Sequence, residues 1–198
     1  FELDFLIEEG TNEIYLGELN PRITGASSIT NHAVFALADA PLFMFHILEY
    51  MDQPYELDIN ALNDRWFDPA NIDSWSQLVI KHTDDTVEYV TQAPRSGIYR
   101  MMDDGCIYFD RMDTHRRAVE TENEAFYLRI TRVGDYLYEG ADMGILVMRG
   151  RLMTDDFQLK DRARMWIHGI KSLYKSKAPG DEQFVASKVA EIGGFKMM

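Results

Sequence analysis

The segment Gly17-Glu18-Leu19-Asn20-Pro21-Arg22 gathers oxygen donors and one cation at the end of a strand-like run. Alternate residues of a strand share a face, so Glu18 and Asn20 point the same way, with Arg22 two residues further on. Asp4 lies on the preceding run, which reads as the hairpin partner. Two carboxylates and an amide oxygen on one sheet face make a hard, oxygen-only donor set suited to Mg²⁺ or Mn²⁺. A guanidinium beside such a set clamps phosphate oxygens and offsets charge that develops in phosphoryl transfer. The chemistry implied is that of a metal–nucleotide complex. The same residue types also suit a solvated strand end with Pro21 opening a turn, and spacing alone leaves both readings open.

The elements that must position these groups follow from local pattern. Residues 1–7 and 13–19 are strand-like and are separated by Glu8-Glu9-Gly10-Thr11-Asn12, whose Gly and Asn suit a hairpin turn. Residues 20–31, rich in Pro, Gly, Ser and Thr, read as a loop. Asp39-Ala40-Pro41 opens a helix that Leu42, Phe45, His46, Leu48 and Glu49 continue. Residues 52–73, with Pro54, Pro69 and several Asn, form the boundary between two units, 1–52 and 53–198.

In the second unit, strands are expected at 76–82 and 87–92, flanking Asp84-Asp85. A further pair, 97–102 and 106–111, surrounds the Asp103-Asp104-Gly105 turn signal. Residues 126–133 and 136–138 flank Gly134-Asp135, and 144–148 is a short buried run. Helical spacing of Leu159, Ala163, Trp166, Ile167, Ile170, Leu173 and Tyr174 predicts a long helix over 159–174, and a short helix is expected around 182–192. The fold class is α+β, with antiparallel sheet followed by a mixed β unit carrying a packed helix. No internal repeat interrupts it.

Composition narrows the function. The 198 residues are 46% hydrophobic and 27% charged, proportions of a folded chain rather than a disordered one. The net charge of −13 repels phosphate backbones and anionic lipid, which argues against nucleic acid and membrane as partners while leaving a small anionic substrate open. No apolar stretch approaches the roughly 20 residues needed to span a bilayer. No signal peptide pattern opens the chain, and its one cysteine, Cys106, makes no internal disulfide, so a cytoplasmic setting is expected. Phe1-Glu2-Leu3-Asp4-Phe5 is mid-strand in character, and the chain is expected to be a piece of a longer protein.

Asp4-Phe5-Leu6, a hairpin, and then Glu18-Leu19-Asn20-Pro21-Arg22 resemble the end of an ATP-grasp domain. In that superfamily a Glu-x-Asn-x-Arg strand, with an acidic residue one strand earlier, binds two Mg²⁺ ions bridging the phosphates of ATP. The resemblance implies that Glu18 bridges the metals, Asn20 ligates one of them, Asp4 holds the first acidic position, and Arg22 contacts the transferred phosphate or an acyl phosphate. Within the superfamily the pattern is most similar to biotin carboxylases and the related carbamoyl-phosphate synthase halves. Residues 1–52 would then be the C-terminal part of an ATP-grasp domain and 53–198 a biotin carboxylase C-terminal-like domain. Gly134-Asp135-Tyr136, Gly144-Ile145-Leu146-Val147 and the helix carrying Trp166-Ile167-His168-Gly169-Ile170 are similar in order to that domain.

Two positions depart from the carboxylases. Ala26 stands where they place the Glu that deprotonates bicarbonate, and Lys81 is the nearest match to their biotin-contacting Arg. The resemblance implies an ATP- and Mg²⁺-dependent ligase that activates bicarbonate or a carboxylate as an acyl phosphate, with ATP and Mg²⁺ (or Mn²⁺) as cofactors and a homo-oligomer possible. The nucleotide-cradling lobe precedes such a motif, so this stretch alone is expected to lack turnover. The alternatives are a carboxylate–amine (amino-acid or peptide) ligase, which the small Gly25-Ala26-Ser27-Ser28 loop would accommodate, and a non-catalytic binding module derived from the same fold.

Other polar groups read as structural. His46, between Phe45 and Ile47, reads as a packed core histidine, and His32 lies nearer the loop. His115-Arg116-Arg117 and Arg149-Gly150-Arg151 are local basic clusters suited to solvated turns or an anion contact. Cys106 lacks an evident base partner, and no Gly-x-x-x-x-Gly-Lys-Ser/Thr or Gly-x-Ser-x-Gly motif occurs.

Overall fold

The structure is a computed structural model, and it describes residues 2–22, 24–29, 42–68, 74–114 and 118–180. The chain begins with an antiparallel hairpin, β1 (Glu2–Ile7) and β2 (Ile14–Asn20). A single helical turn, α1 (Ser27–Ile29), follows, then the helices α2 (Leu42–Tyr50) and α3 (Ile59–Trp66). The remaining strands are β3 (Trp75–Lys81), β4 (Glu88–Gln92), β5 (Gly97–Met101), β6 (Ile107–Arg111), β7 (Glu124–Arg129), β8 (Tyr136–Leu137), β9 (Asp142–Arg149) and β10 (Lys175–Lys177), with α4 (Asp161–Ser172) before the last. All ladders among the described residues are antiparallel, so the architecture is mixed α+β with antiparallel sheets.

The centre is a five-stranded sheet in the order β3-β9-β7-β5-β6. Alternation along its strands divides the core in two. On one face Tyr99, Met101, Ala125, Tyr127, Leu146 and Met148 pack with Ala163, Trp166 and Ile170 of α4. On the other, Ile98, Phe126, Ile145 and Val147 pack with Trp75, Ala118, Val119 and Ile29. A sheet covered on both faces needs apolar residues at successive positions, which is why Met143–Met148 read as a continuous run rather than an alternating one. Gly144 interrupts that run because the Tyr127 ring lies over it: a Cβ there would sit 2.3 Å from the Tyr127 hydroxyl oxygen.

The Asp103-Asp104-Gly105 signal does produce the β5–β6 hairpin. The other two turn signals do not join paired strands. β3 lies in the five-stranded sheet, whereas β4 pairs with β8 and β10 in a separate three-stranded sheet; β7 and β8 are divided in the same way. Residues 82–87 and 130–135 are therefore crossings between sheets. The expected boundary at 52–73 contains α3, where the Asp58 carboxylate accepts the Ala61 N–H at 2.9 Å and caps the helix. The expected loop 20–31 contains α1. The expected helix around 182–192, the 39–41 helix start, His32 and the 115–117 cluster lie outside the described residues.

Candidate functional site

The β1–β2 ladder sets Glu2 opposite Asn20 and Asp4 opposite Glu18. Directly opposed residues of an antiparallel pair share a face, with Cβ atoms about 4.5–5.5 Å apart. Glu2, Asp4, Glu18 and Asn20 therefore occupy one face at the open end of the hairpin. The register shifts between Asp4 and Phe5, leaving Gly17 as the extra residue of a bulge. A Cβ at Gly17 would lie 3.3 Å from both the Asp4 carbonyl oxygen and the Leu6 side chain, so glycine lets the two strands close at the level of the carboxylates. At the far end the turn is held by the Glu8 N–H to the Glu13 carbonyl at 2.9 Å and by the Thr11 hydroxyl to the Glu8 carboxylate at 2.7 Å.

The opposite face of the hairpin carries Leu3, Phe5 and Ile7 against Leu19, Leu16 and Ile14. All six are exposed, from 40% at Leu3 to 67% at Ile7. The hairpin is thus strongly two-faced, polar and acidic on one side at its open end and apolar on the other.

After β2 the chain folds back on itself. Arg22 Nη2 donates to Asn20 Oδ1 at 3.3 Å, and the Thr24 hydroxyl donates to the Glu2 carboxylate. Both contacts tie the post-motif loop to the acidic face. Gln77 of β3 then anchors the loop to the central sheet: its amide donates to the Gly25 carbonyl at 2.8 Å and accepts the Ile29 N–H at 3.0 Å. The structure thus brings Asp4, Glu18, Asn20 and Arg22 to one end of one hairpin. Asp4 and Glu18 have no ion-pair partner among the described residues. Among those residues, too, no group of three or more His, Cys, Asp or Glu side chains is set to hold a metal ion by itself.

The donor chemistry fits a hard divalent cation. Asp4 and Glu18 stand directly opposite in the ladder, a pairing of like charges that a cation bound beside them would offset. With the Asn20 amide oxygen, the donors are all oxygen, as Mg²⁺ and Mn²⁺ prefer.

Other expected positions resolve differently. Lys81 is more than half exposed and pairs with Asp142 at 2.9 Å. Ala26 sits in the Gln77-anchored loop, donating its N–H to the Thr24 hydroxyl at 3.3 Å. His46 is exposed on α2 rather than packed in a core, lying edge-on to Tyr50 at 4.8 Å, because the flanking apolar residues Met44 and Ile47 are themselves nearly half exposed. Cys106 is exposed and accompanied by Asp104, which raises its thiol above its ordinary value and works against a reactive thiolate. Arg149 stacks over Trp75 at 4.6 Å and donates to the Val119 carbonyl at 2.8 Å, a packing role.

Two buried polar clusters carry no local sequence signal. Glu124, 2% exposed, receives Arg100 Nη2 at 2.7 Å, Arg111 Nη1 at 3.2 Å and the Glu120 N–H at 2.9 Å. Burial alone would raise its carboxyl; the Glu120 N–H and the two guanidiniums outweigh that and hold it below the ordinary carboxylate range. Arg111 also reaches Asp110 and the Ala118 carbonyl, so the cluster fastens segment 118–120 to the sheet. On the other face the Tyr127 and Tyr174 hydroxyls meet at 2.8 Å and both reach the Met143 carbonyl, at 3.0 and 2.9 Å. Burial raises both phenols, and it pushes Tyr99 up to about 12.

No protein-family model, curated protein or solved structure matches the chain. Among the described residues no helix is long and apolar enough to cross a membrane.

Proposed function

We propose that this chain is part of an ATP- and Mg²⁺-dependent ligase of the ATP-grasp type, most like biotin carboxylase, that activates bicarbonate or a carboxylate as an acyl phosphate. The observation that carries the reading is the direct opposition of Asp4 and Glu18 across the hairpin, with Asn20 and Arg22 at the same end. In this reading Asp4, Glu18 and Asn20 hold the divalent ions, and residues 1–52 and 53–198 are the metal-binding end of the ATP-grasp domain and a carboxylase C-terminal-like domain. Bound Mg²⁺ neutralises phosphate charge and orients the nucleotide. The chain's own residues do the positioning. Gly17 lets the strands close at the level of Asp4 and Glu18, and the Gln77-anchored loop holds the backbone after Arg22 against the central sheet. Arg22 reaches back to Asn20, and in this reading it would offset negative charge on the transferred phosphoryl group.

A second reading within the same chemistry, a carboxylate–amine ligase, is favoured by Ala26. The loop after Arg22 has no carboxylate at the position where a bicarbonate base would be needed, and the small side chains of its Gly25-Ala26 segment would suit an amine acceptor. The test is phosphate release from ATP by the complete gene product, with bicarbonate and biotin in one series and a panel of amino acids in another. Stimulation in either series should be abolished by Glu18→Ala. Turnover close to the unsubstituted level in that variant would remove Glu18 from the site.

A further inference from the structure

The apolar face of the β1–β2 hairpin sets Leu3 opposite Leu19, Phe5 opposite Leu16 and Ile7 opposite Ile14, with no polar side chain among the six. Each is 40–67% exposed, and none belongs to either apolar core of the central sheet. The contacts that the following loop makes with the hairpin, Arg22 to Asn20 and Thr24 to Glu2, fall on the acidic face. A two-stranded hairpin is marginal in water by itself and gains stability when its apolar face is packed against another element.

Area and charge favour a second copy of the same face. At these exposures the six residues present roughly 700 Å² of largely apolar surface in one patch. That exceeds the ~300–600 Å² a monomer usually exposes and approaches the ~800 Å² each partner buries in a standard interface. Residues 1–21 hold six carboxylates and no Lys or Arg, so the face offers nothing to a nucleic acid or an anionic bilayer. A cationic partner would find Glu2, Asp4 and Glu18 on the other side of the hairpin. Sheets stacked face to face lie about 10 Å apart, which places the outward carboxylates of two copies on the order of 20 Å from each other. The Debye length at physiological ionic strength is about 8 Å, so their repulsion is screened.

We infer that the apolar faces of two β1–β2 hairpins pack on each other about a twofold axis, forming a homodimer with both acidic faces turned to solvent. An isologous contact of this kind uses one patch on each copy and closes at two. This pairing is independent of the metal–nucleotide reading.

Sedimentation velocity of the unsubstituted chain should show a monomer–dimer equilibrium with a dissociation constant between about 0.1 and 100 µM. It should not weaken when NaCl rises from about 0.15 to about 1 M, because the contact is apolar. Phe5→Ser and Leu16→Ser, at facing central positions, each enter the interface twice and should weaken it at least about thirtyfold. Tyr15→Ser, on the acidic face, should leave it within about twofold. Hydrogen exchange of the unsubstituted chain stands even if a serine variant loses the hairpin. Protection of the β1 and β2 amides should rise with protein concentration through the dissociation constant, while that of β7 and β9 stays constant. A monomer up to about 500 µM, a dimer retained by both serine variants, dissociation at high salt, or hairpin protection independent of concentration would each overturn the dimer. So would a monomeric complete gene product with a fully protected hairpin, since the face would then be covered from within one chain.

Discussion

Replacing Glu124 with glutamine leaves the side chain's shape almost intact and removes the one buried charge on which Arg100 and Arg111 converge. The Glu124 side chain is 3% exposed, whereas those of Arg100 and Arg111 are 44% and 34% exposed. Breaking a fully buried ion pair costs about 3–5 kcal/mol. Here the guanidiniums keep partial hydration and retain Asp110, so the loss should be smaller, about 2–3 kcal/mol. For a chain of this size that corresponds to a fall of roughly 4–12 °C in Tm. The pH dependence separates charge from packing. Glu124 titrates below its ordinary value of 4.5 in the folded state, so its contribution is present above that value and is lost as pH falls through the folded pKa. The gap between the unsubstituted chain and Glu124→Gln should therefore be constant near neutrality and shrink below pH 4.5. Urea unfolding at a series of pH values reads it. A difference under about 0.5 kcal/mol at neutral pH, or one that does not change on acidification, would show that the buried Glu124 charge does not stabilise the fold.

The buried phenols give the opposite sign. Tyr99, Tyr127 and Tyr174 are raised above 10.0, so their contribution is intact below that pH and is lost as pH climbs through the folded values, about 12 for Tyr99. Tyrosinate absorbance should rise in two stages, exposed residues first and these three together with unfolding; a single smooth titration of all 10 tyrosines would contradict the buried cluster. Gln77→Ala removes both contacts that tie the post-motif loop to β3. Hydrogen exchange at the Ile29 amide should then accelerate about tenfold, with global stability changed by less than about 1 kcal/mol; an unchanged rate would mean that Ile29 packing alone holds the loop.

Much of the local structure was legible. The β1–β2 hairpin, the β5–β6 hairpin and α4 follow from turn residues and from helical spacing, all of which act within about fifteen residues. The partition of strands between sheets was not. Asp84-Asp85 and Gly134-Asp135 mark changes of direction, but what decides the partner of β3 is its pairing with β9, from Trp75 opposite Arg149 to Lys81 opposite Asp142, and no local signal encodes it. Helix α3 carried a usable signal in Asp58, which the surrounding Pro and Asn obscured. Of the candidate site, the alternation of Glu18 and Asn20 was readable, and the pairing of Asp4 with Glu18 required the bulge at Gly17. The Glu124 cluster draws on three strands, so it leaves no motif. The exposure of His46 shows the converse: apolar neighbours on a helix do not bury a residue when the helix itself lies at the surface.

In the proposed reading the acidic hairpin holds a divalent ion together with a nucleotide. Mn²⁺ binding to the complete gene product, read by electron paramagnetic resonance with and without a non-hydrolysable ATP analogue, tests it most directly. The analogue should tighten Mn²⁺ binding, and Asp4→Asn and Glu18→Gln should each weaken the ternary complex at least about tenfold, while Glu13→Gln at the hairpin turn should not. Mn²⁺ affinity indifferent to the nucleotide, or equal in all three variants, would contradict it.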